Sequence, residues 1–165
     1  MGEFPTRILL ATDGSEGAEL AALRAVDLAR RTDSELHLVH VGIAPAFLMS
    51  DPGTGGYDRV LLEEIEGGAR ELLRKLSWRA KVAGGDVAGE HLRMGEVGLE
   101  IVGLARKLGA DPIVTGCRGR RGIRRAVGGS VSDAVIRHAP CPVLVVPSNE
   151  MAQTPGRAVL LQGSR

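Results

Sequence analysis

The sequence predicts an α/β fold: a single doubly wound domain with a five-stranded parallel sheet and helices on both faces. Short apolar segments without polar alternation recur along the chain, a pattern typical of strands that are covered on both faces. Segments with helical spacing of apolar residues separate them, as in repeated β-α units. The length of 165 residues suits one domain with one core.

The first β-α-β unit occupies the first forty residues. Residues 7–12 form an apolar run, and the turn at 13–15 follows it with residue types that cap helices. From 18 to 29, small apolar residues recur on one helical stripe. Residues 36–41 then read as a second buried strand, so the chain enters a parallel sheet from its start.

The middle of the chain is less regular. Residues 42–57 contain two prolines and four glycines, which predicts a long surface loop. A helix is expected from there to about Val82, although the pair Gly67-Gly68 weakens its interior. Its predicted apolar stripe consists of Leu61, Ile65, Leu72 and Leu76.

The rest of the chain repeats the strand-helix alternation and closes on a strand. Pro112 can occupy only an edge or the first position of its strand, and Gly109 is a typical helix end. The predicted elements are strand 87–94, helix 97–108, strand 112–115, helix 130–138 and strand 142–147. We expect one domain over residues 1–147 and a C-terminal tail over 148–165.

Composition and charge exclude several classes of protein. Aromatic residues make up 2% of the chain, too few for platforms that stack nucleic-acid bases. The formal net charge of +1 provides no global attraction to nucleic acid or an anionic membrane. No apolar run approaches the ~18 residues of a membrane span. The two cysteines are too few for a secreted disulfide scaffold, so we expect a cytoplasmic protein with neither nucleic-acid nor membrane partners.

The most informative segment joins the fourth strand to the fourth helix. Glycines allow close backbone approach, and a helix N-terminus offers free N–H groups, so such a segment suits phosphate. Ser130 and Ser132 add hydroxyl donors, and residues 116–132 contain no acidic residue. The same composition also fits a solvated loop without a ligand. The segment carries Arg118, Arg120, Arg121, Arg124 and Arg125.

Its expected position favours a binding site. The segment begins at the carboxyl end of a central strand, where doubly wound folds bind ligands. Asp13 follows the first strand at the same edge. That carboxylate is either a helix cap or an acceptor for ribose, adenine or a metal-bound water.

Three motifs make the chain resemble the universal stress protein family over residues 8–147. The first is the spacing Gly-two-Gly-nine-Gly-Ser, met by Gly116, Gly119, Gly129 and Ser130. The others are residues 8–15, Ile-Leu-Leu-Ala-Thr-Asp-Gly-Ser, and residues 137–147, Arg-His-Ala-Pro-Cys-Pro-Val-Leu-Val-Val-Pro. The chain departs from the family pattern at Ala11, Pro112 and Cys117, and none of these removes a signature glycine.

The resemblance implies reversible ATP binding, with Mg2+ or Mn2+ on the phosphates, by a homodimeric stress-response sensor or regulator. It implies that Asp13 lies near the sugar or adenine, that the Val41 backbone pairs with adenine, and that the glycine segment follows the ribose and phosphates. The homodimer is expected through the last strand, 143–146, whose apolar edge needs a cover. The candidate binding residues are Ala11, Thr12, Asp13, Val41, Thr115, Gly116, Arg118, Gly119, Gly129, Ser130, Val131 and Ser132.

Alternatives remain open at this point. A dedicated enzyme is not expected, because no general base is recognisable, but slow hydrolysis or autophosphorylation on Ser130 or Ser132 fits the sequence. A nucleotide-free dimeric interaction module of the same fold is the main rival. A phosphoacceptor receiver domain is disfavoured, since the last strand ends on Pro147-Ser148 where a receiver needs lysine. Cys117 is either a reactive thiol or a small residue that fits its site.

Overall fold

The computed structural model describes residues 7–43, 57–116 and 131–147 and confirms the predicted fold class. In these residues, five strands alternate with four helices. The elements are β1 (Arg7–Ala11), α1 (Glu16–Thr32), β2 (Glu35–Gly42), α2 (Tyr57–Val82), β3 (Val87–Met94), α3 (Val97–Leu108), β4 (Ile113–Gly116), α4 (Val131–His138) and β5 (Val143–Val146).

All five strands are parallel, in the order β3-β2-β1-β4-β5. This is the order of the first five strands of a Rossmann-type sheet and differs from the 2-1-3-4-5 order of flavodoxin-like and receiver folds. The topological switch point therefore lies between β1 and β4. Ligand sites in such sheets lie beyond the carboxyl ends of the strands at that point.

Alternate residues of the central strands bury two separate apolar layers, because successive strand side chains point to opposite faces. The layer under α1 and α2 includes Ile8, Leu10, Leu36, Leu38, Leu73 and Leu76. The layer under α3 and α4 includes Leu9, Val39, Ile101, Leu104 and Val135. Helices thus cover both faces, which explains the unbroken apolar runs of β1 and β2.

Helix α2 has the predicted end, and its predicted apolar stripe is confirmed in part: Leu76 is buried and Leu72 packs partly buried against the core. The side chains that face the sheet are Ala69, Leu73, Leu76 and Ala80, whereas Leu61 is exposed. At about 100° per residue, Leu61 lies about 80° around the helix from Ala69, so the sheet does not reach it. Among the helices in the described ranges, none combines the length and apolar character needed to cross a bilayer.

Candidate functional site

The carboxyl ends of β1 and β4 lie side by side at the switch point. Ala11 and Thr115 are register partners, and both are buried. The β1 ladder extends by one further bond, from the Thr12 amide to the Val39 carbonyl at 2.9 Å. The chain then turns away at Asp13, while β4 ends at Gly116. In doubly wound sheets the ligand crevice lies at this edge, so the residues that follow the two strands would border it.

The turn after β1 is ordered by its own polar side chains. Thr12 Oγ1 accepts a hydrogen bond from the Gly14 amide at 3.2 Å, and Asp13 Oδ1 accepts one from the Ser15 amide at 3.0 Å. Gly14 has φ of 77°, a left-handed conformation that favours glycine. The N-cap of α1 is Ser15, whose hydroxyl accepts from the Ala18 amide. The helix-cap alternative for Asp13 is therefore wrong, and its exposed carboxylate orders the turn beside the crevice.

A histidine that the sequence argument did not use supports the same turn. His40 Nδ1 lies 2.8 Å from the Thr12 carbonyl oxygen. A carbonyl oxygen can only accept, so Nδ1 carries the proton and the imidazole donates to the backbone. Only the register of β1 and β2 brings the two residues together, and no motif in the sequence marks them.

The backbone of Val41 points toward the crevice. In a parallel strand, consecutive residues direct their amide and carbonyl groups to opposite neighbours. The Val39 carbonyl bonds to the β1 side, at Thr12, and the Gly42 carbonyl bonds to the β3 side, at Gly95. The amide and carbonyl groups of Val41 therefore point to the β1 side, beyond the last register pair, which is Ala11 with Val39. Its side chain is buried in the layer under α3 and α4.

Gly116 is required by packing. A Cβ placed there would lie 2.9 Å from the Ala18 amide nitrogen and still closer to the Gly17 carbonyl group. Any side chain at Gly116 would thus collide with the first turn of α1. The Gly116 carbonyl oxygen accepts from the hydroxyl groups of Thr115, at 3.4 Å, and Ser132, at 3.3 Å. Sequence reasoning assigned this glycine to ligand binding and missed its contact with α1.

The structure thus brings seven of the twelve candidate residues to one edge of the sheet: Ala11, Thr12, Asp13, Val41, Thr115, Gly116 and Ser132. Val131 is exposed at the start of α4. Four candidates, Arg118, Gly119, Gly129 and Ser130, and the neighbouring Cys117 lie outside the described residues. Their contact with a ligand stays a prediction.

Comparisons with known proteins agree with the observed fold. Residues 5–147 match the family model of the universal stress protein family. A Staphylococcus epidermidis protein that carries the family's name is 37% identical over 147 residues, which cover 88% of this chain and 86% of that protein. The solved structure of universal stress protein UspA from Lactobacillus plantarum superposes with a TM-score of 0.72 at 26% identity, covering 86% of this chain and 97% of the other.

A second similar structure was solved with a bound ligand. It is a universal stress protein in complex with cAMP, with a TM-score of 0.69 and 28% identity, covering 87% of this chain and 98% of the other. The family model matches nearly all of the described residues, and the Staphylococcus epidermidis relative is well above 30% identical. This chain belongs to the universal stress protein family.

Proposed function

We propose that this chain binds an adenine nucleotide, with ATP as the expected form, in the crevice between the carboxyl ends of β1 and β4. The observation that carries the proposal is the convergence of three features on one edge: the Asp13 carboxylate, the Val41 backbone and the end of β4 at Gly116. Support also comes from the cAMP complex of a structure 28% identical to this chain.

Each feature has a complementary part of the nucleotide. The amide and carbonyl of Val41 offer one donor and one acceptor, which is what the edge of adenine requires. The Asp13 carboxylate accepts from ribose hydroxyl groups. The glycine-rich segment after Gly116, with Arg118, would hold the phosphates.

A divalent cation fits this arrangement through the nucleotide. Mg2+ prefers one or two carboxylates together with phosphate oxygens and water. Within residues 7–43, 57–116 and 131–147, no group of three or more His, Cys, Asp or Glu side chains converges on a metal position. The phosphates would therefore carry Mg2+ or Mn2+, with Asp13 as the nearby carboxylate of this chain.

The role that follows is that of a cytoplasmic sensor or regulator in a stress response. The sequence provides no recognisable general base or water-positioning group, so fast hydrolysis is not part of the proposal. Slow turnover or autophosphorylation on Ser130 or Ser132 is compatible with it. We assign the nucleotide-binding domain to residues 1–147 and a tail to 148–165, and the family match supports this division by ending at 147.

We also propose that the protein is a homodimer through β5. Strand β5 is at the end of the strand order, paired only with β4 among the described strands. Leu144 on this strand is 40% exposed. A short apolar edge strand with unpaired backbone groups is a ready template for a second copy.

Mass spectrometry of small molecules released from the purified, denatured protein tests the nucleotide proposal. We expect an adenine nucleotide, retained in the wild type and absent from a Gly129→Val variant of the same fold. If the wild type releases none and also fails to respond to added ATP, the nucleotide-free interaction module replaces this proposal.

A further inference from the structure

The outer face of α2 exposes large apolar side chains. Trp78 is 63% exposed and Val82 is 68% exposed, while Val60 near the other end of the helix is 57% exposed. At about 100° per residue, Val60 and Trp78 are five full turns apart and lie on the same line along the helix. This line is opposite Ala69, which faces the sheet. Apolar side chains on the side away from the core mark a contact surface.

Gly67 lies on the same line, in the interior of the helix. Glycine is a poor helix former, so its presence in a helix interior calls for a reason. A Cβ built on Gly67 would meet no atom within 4 Å, so no contact in the described chain requires the glycine. The missing side chain leaves a depression on the outer face, open to a large side chain of another molecule.

On this face of α2, negative charges lie in the first half of the helix and positive charges lie in the second half. Glu63, Glu64 and Glu71 lie in the first part, and Lys75 and Lys81 lie in the second. All five are exposed, and among the described residues neither lysine has an ion-pair partner. A helix that is acidic toward one end and basic toward the other is complementary to an antiparallel copy of itself.

We propose that α2 pairs with α2 of a second copy of this chain, antiparallel, with Trp78 of each copy seated over Gly67 of the other. The two-fold axis of this pair passes between positions 72 and 73. It brings Lys81 next to Glu63 of the other copy, on the same flank of the contact line, and Lys75 next to Glu71. Such an isologous contact uses one patch on both chains, and every interaction occurs twice.

This contact is separate from the proposed β5 dimer. Helix α2 packs on β2 and β3, whereas β5 is at the opposite end of the strand order. A single helix pair is at the low end of interface sizes, below about 1,200 Å² in total, so we expect weak association in the micromolar range. Where β5 already pairs two chains, the α2 contact would join such dimers.

Sedimentation velocity across the micromolar range tests the contact directly. The wild type should form a larger species with rising concentration, and Trp78→Ala should weaken this association at least about tenfold. Gly67→Gln should do the same while improving helix propensity. Gly68→Gln is the matched control, because position 68 is about 100° further around the helix, away from the contact line. Equal behaviour of the two glutamine variants would overturn the proposal.

Charge reversal gives an independent test that does not depend on how well one variant folds. Lys81→Glu and Glu63→Lys should each associate about tenfold less than the wild type, because like charges then face each other twice. An equimolar mixture of the two variants should associate again, since each chain now complements the other. If the mixture stays as dissociated as the separate variants, α2 does not pair in this register and the proposal is wrong.

Discussion

The Nδ1 atom of His37 lies 3.2 Å from the Nε2 atom of His91, across the β2–β3 ladder. Gly89 makes room for this pair, because a Cβ there would lie 2.7 Å from His37 Nδ1 and 2.9 Å from His91 Nε2. One ring nitrogen must donate and the other accept, so two fully protonated rings would turn N–H groups toward each other. The hydrogen bond between the two rings therefore requires that at least one of them stays neutral.

Acid should destabilise the protein through this pair. Burial lowers the pKa of His91, and the charges of His37, Arg93 and Lys107 lower it further. A lowered pKa in the folded state means that the unfolded chain binds the proton more tightly. This destabilisation is absent above the unfolded pKa of about 6.5 and grows as pH falls below it. We expect urea midpoints to fall between pH 7 and pH 5.5 in the wild type.

The matched variants are His91→Gln, which should flatten this fall, and His138→Gln at an exposed histidine, which should not. Urea midpoints of the three proteins at a series of pH values make the comparison. A pH dependence that is the same in all three would assign the effect to other groups.

Gly116→Ala should destabilise the fold by about 1–3 kcal/mol, because its Cβ would collide with the Gly17 carbonyl. Gly103→Ala is the control: this glycine is exposed in α3, its Cβ would meet nothing within 4 Å, and alanine there should stabilise by about 0.5–1 kcal/mol. Urea denaturation without nucleotide measures both. An unchanged midpoint for Gly116→Ala would leave ligand binding as the glycine's only role.

Val145→Lys should abolish the proposed β5 dimer. Val145 is half-buried on the edge strand, and a lysine on a sheet edge opposes pairing with another chain. Light scattering at low protein concentration, where the α2 contact is dissociated, should give a dimer for the wild type and a monomer for the variant. A wild type that is already monomeric, or a variant that is still dimeric, contradicts the β5 assignment.

Cys141 should react slowly with thiol reagents. Burial raises the pKa of its thiol, and the Asp111 carboxylate raises it further, so little thiolate is present near neutral pH. We predict that Cys117 is labelled first and that ATP protects it. Peptide mass spectrometry after timed labelling measures both sites in one sample. Equal rates, or a Cys117 rate that saturating ATP leaves unchanged, would separate Cys117 from the binding site.

ATP with Mg2+ should raise the melting temperature by several degrees. A ligand at about 100 times its Kd adds about 2.7 kcal/mol, and about 1 kcal/mol corresponds to roughly 2–4 °C in a domain of this size. Gly129→Val should abolish the shift, since a β-branched side chain would block the phosphate and strain the turn. Ser130→Ala should only reduce it. Differential scanning calorimetry of ligand-stripped proteins measures the shift. A Gly129→Val variant that responds to ATP like the wild type would refute the assignment of the glycine-rich segment to phosphate binding.

Much of the fold follows from local patterns. Unbroken apolar runs predicted β1 and β2, and Gly109 ends α3 in the left-handed conformation that its residue type favours. Contacts set by strand register were not predictable. The His37–His91 pair depends on an irregularity in the β2–β3 ladder between Leu36 and His37, and no residue type in the sequence predicts this irregularity.

The residues of the candidate site were also predictable only in part. Asp13 was predicted because it directly follows an apolar strand. His40 was not, because its bond to the Thr12 carbonyl exists only once β2 lies against β1. The packing of Gly116 on Gly17 likewise joins residues about a hundred positions apart. Sequence reasoning identified Gly116 as a candidate but did not predict this contact.

That backbone-to-backbone approach fixes one wall of the proposed crevice. With no side chain between Gly17 and Gly116, no rotamer change can widen or narrow the gap between the first turn of α1 and the end of β4. This wall is formed when the protein folds, before any ligand arrives. A nucleotide that docks against it would lose little affinity to reorganisation there, and crystal structures with and without ligand should superpose along this wall.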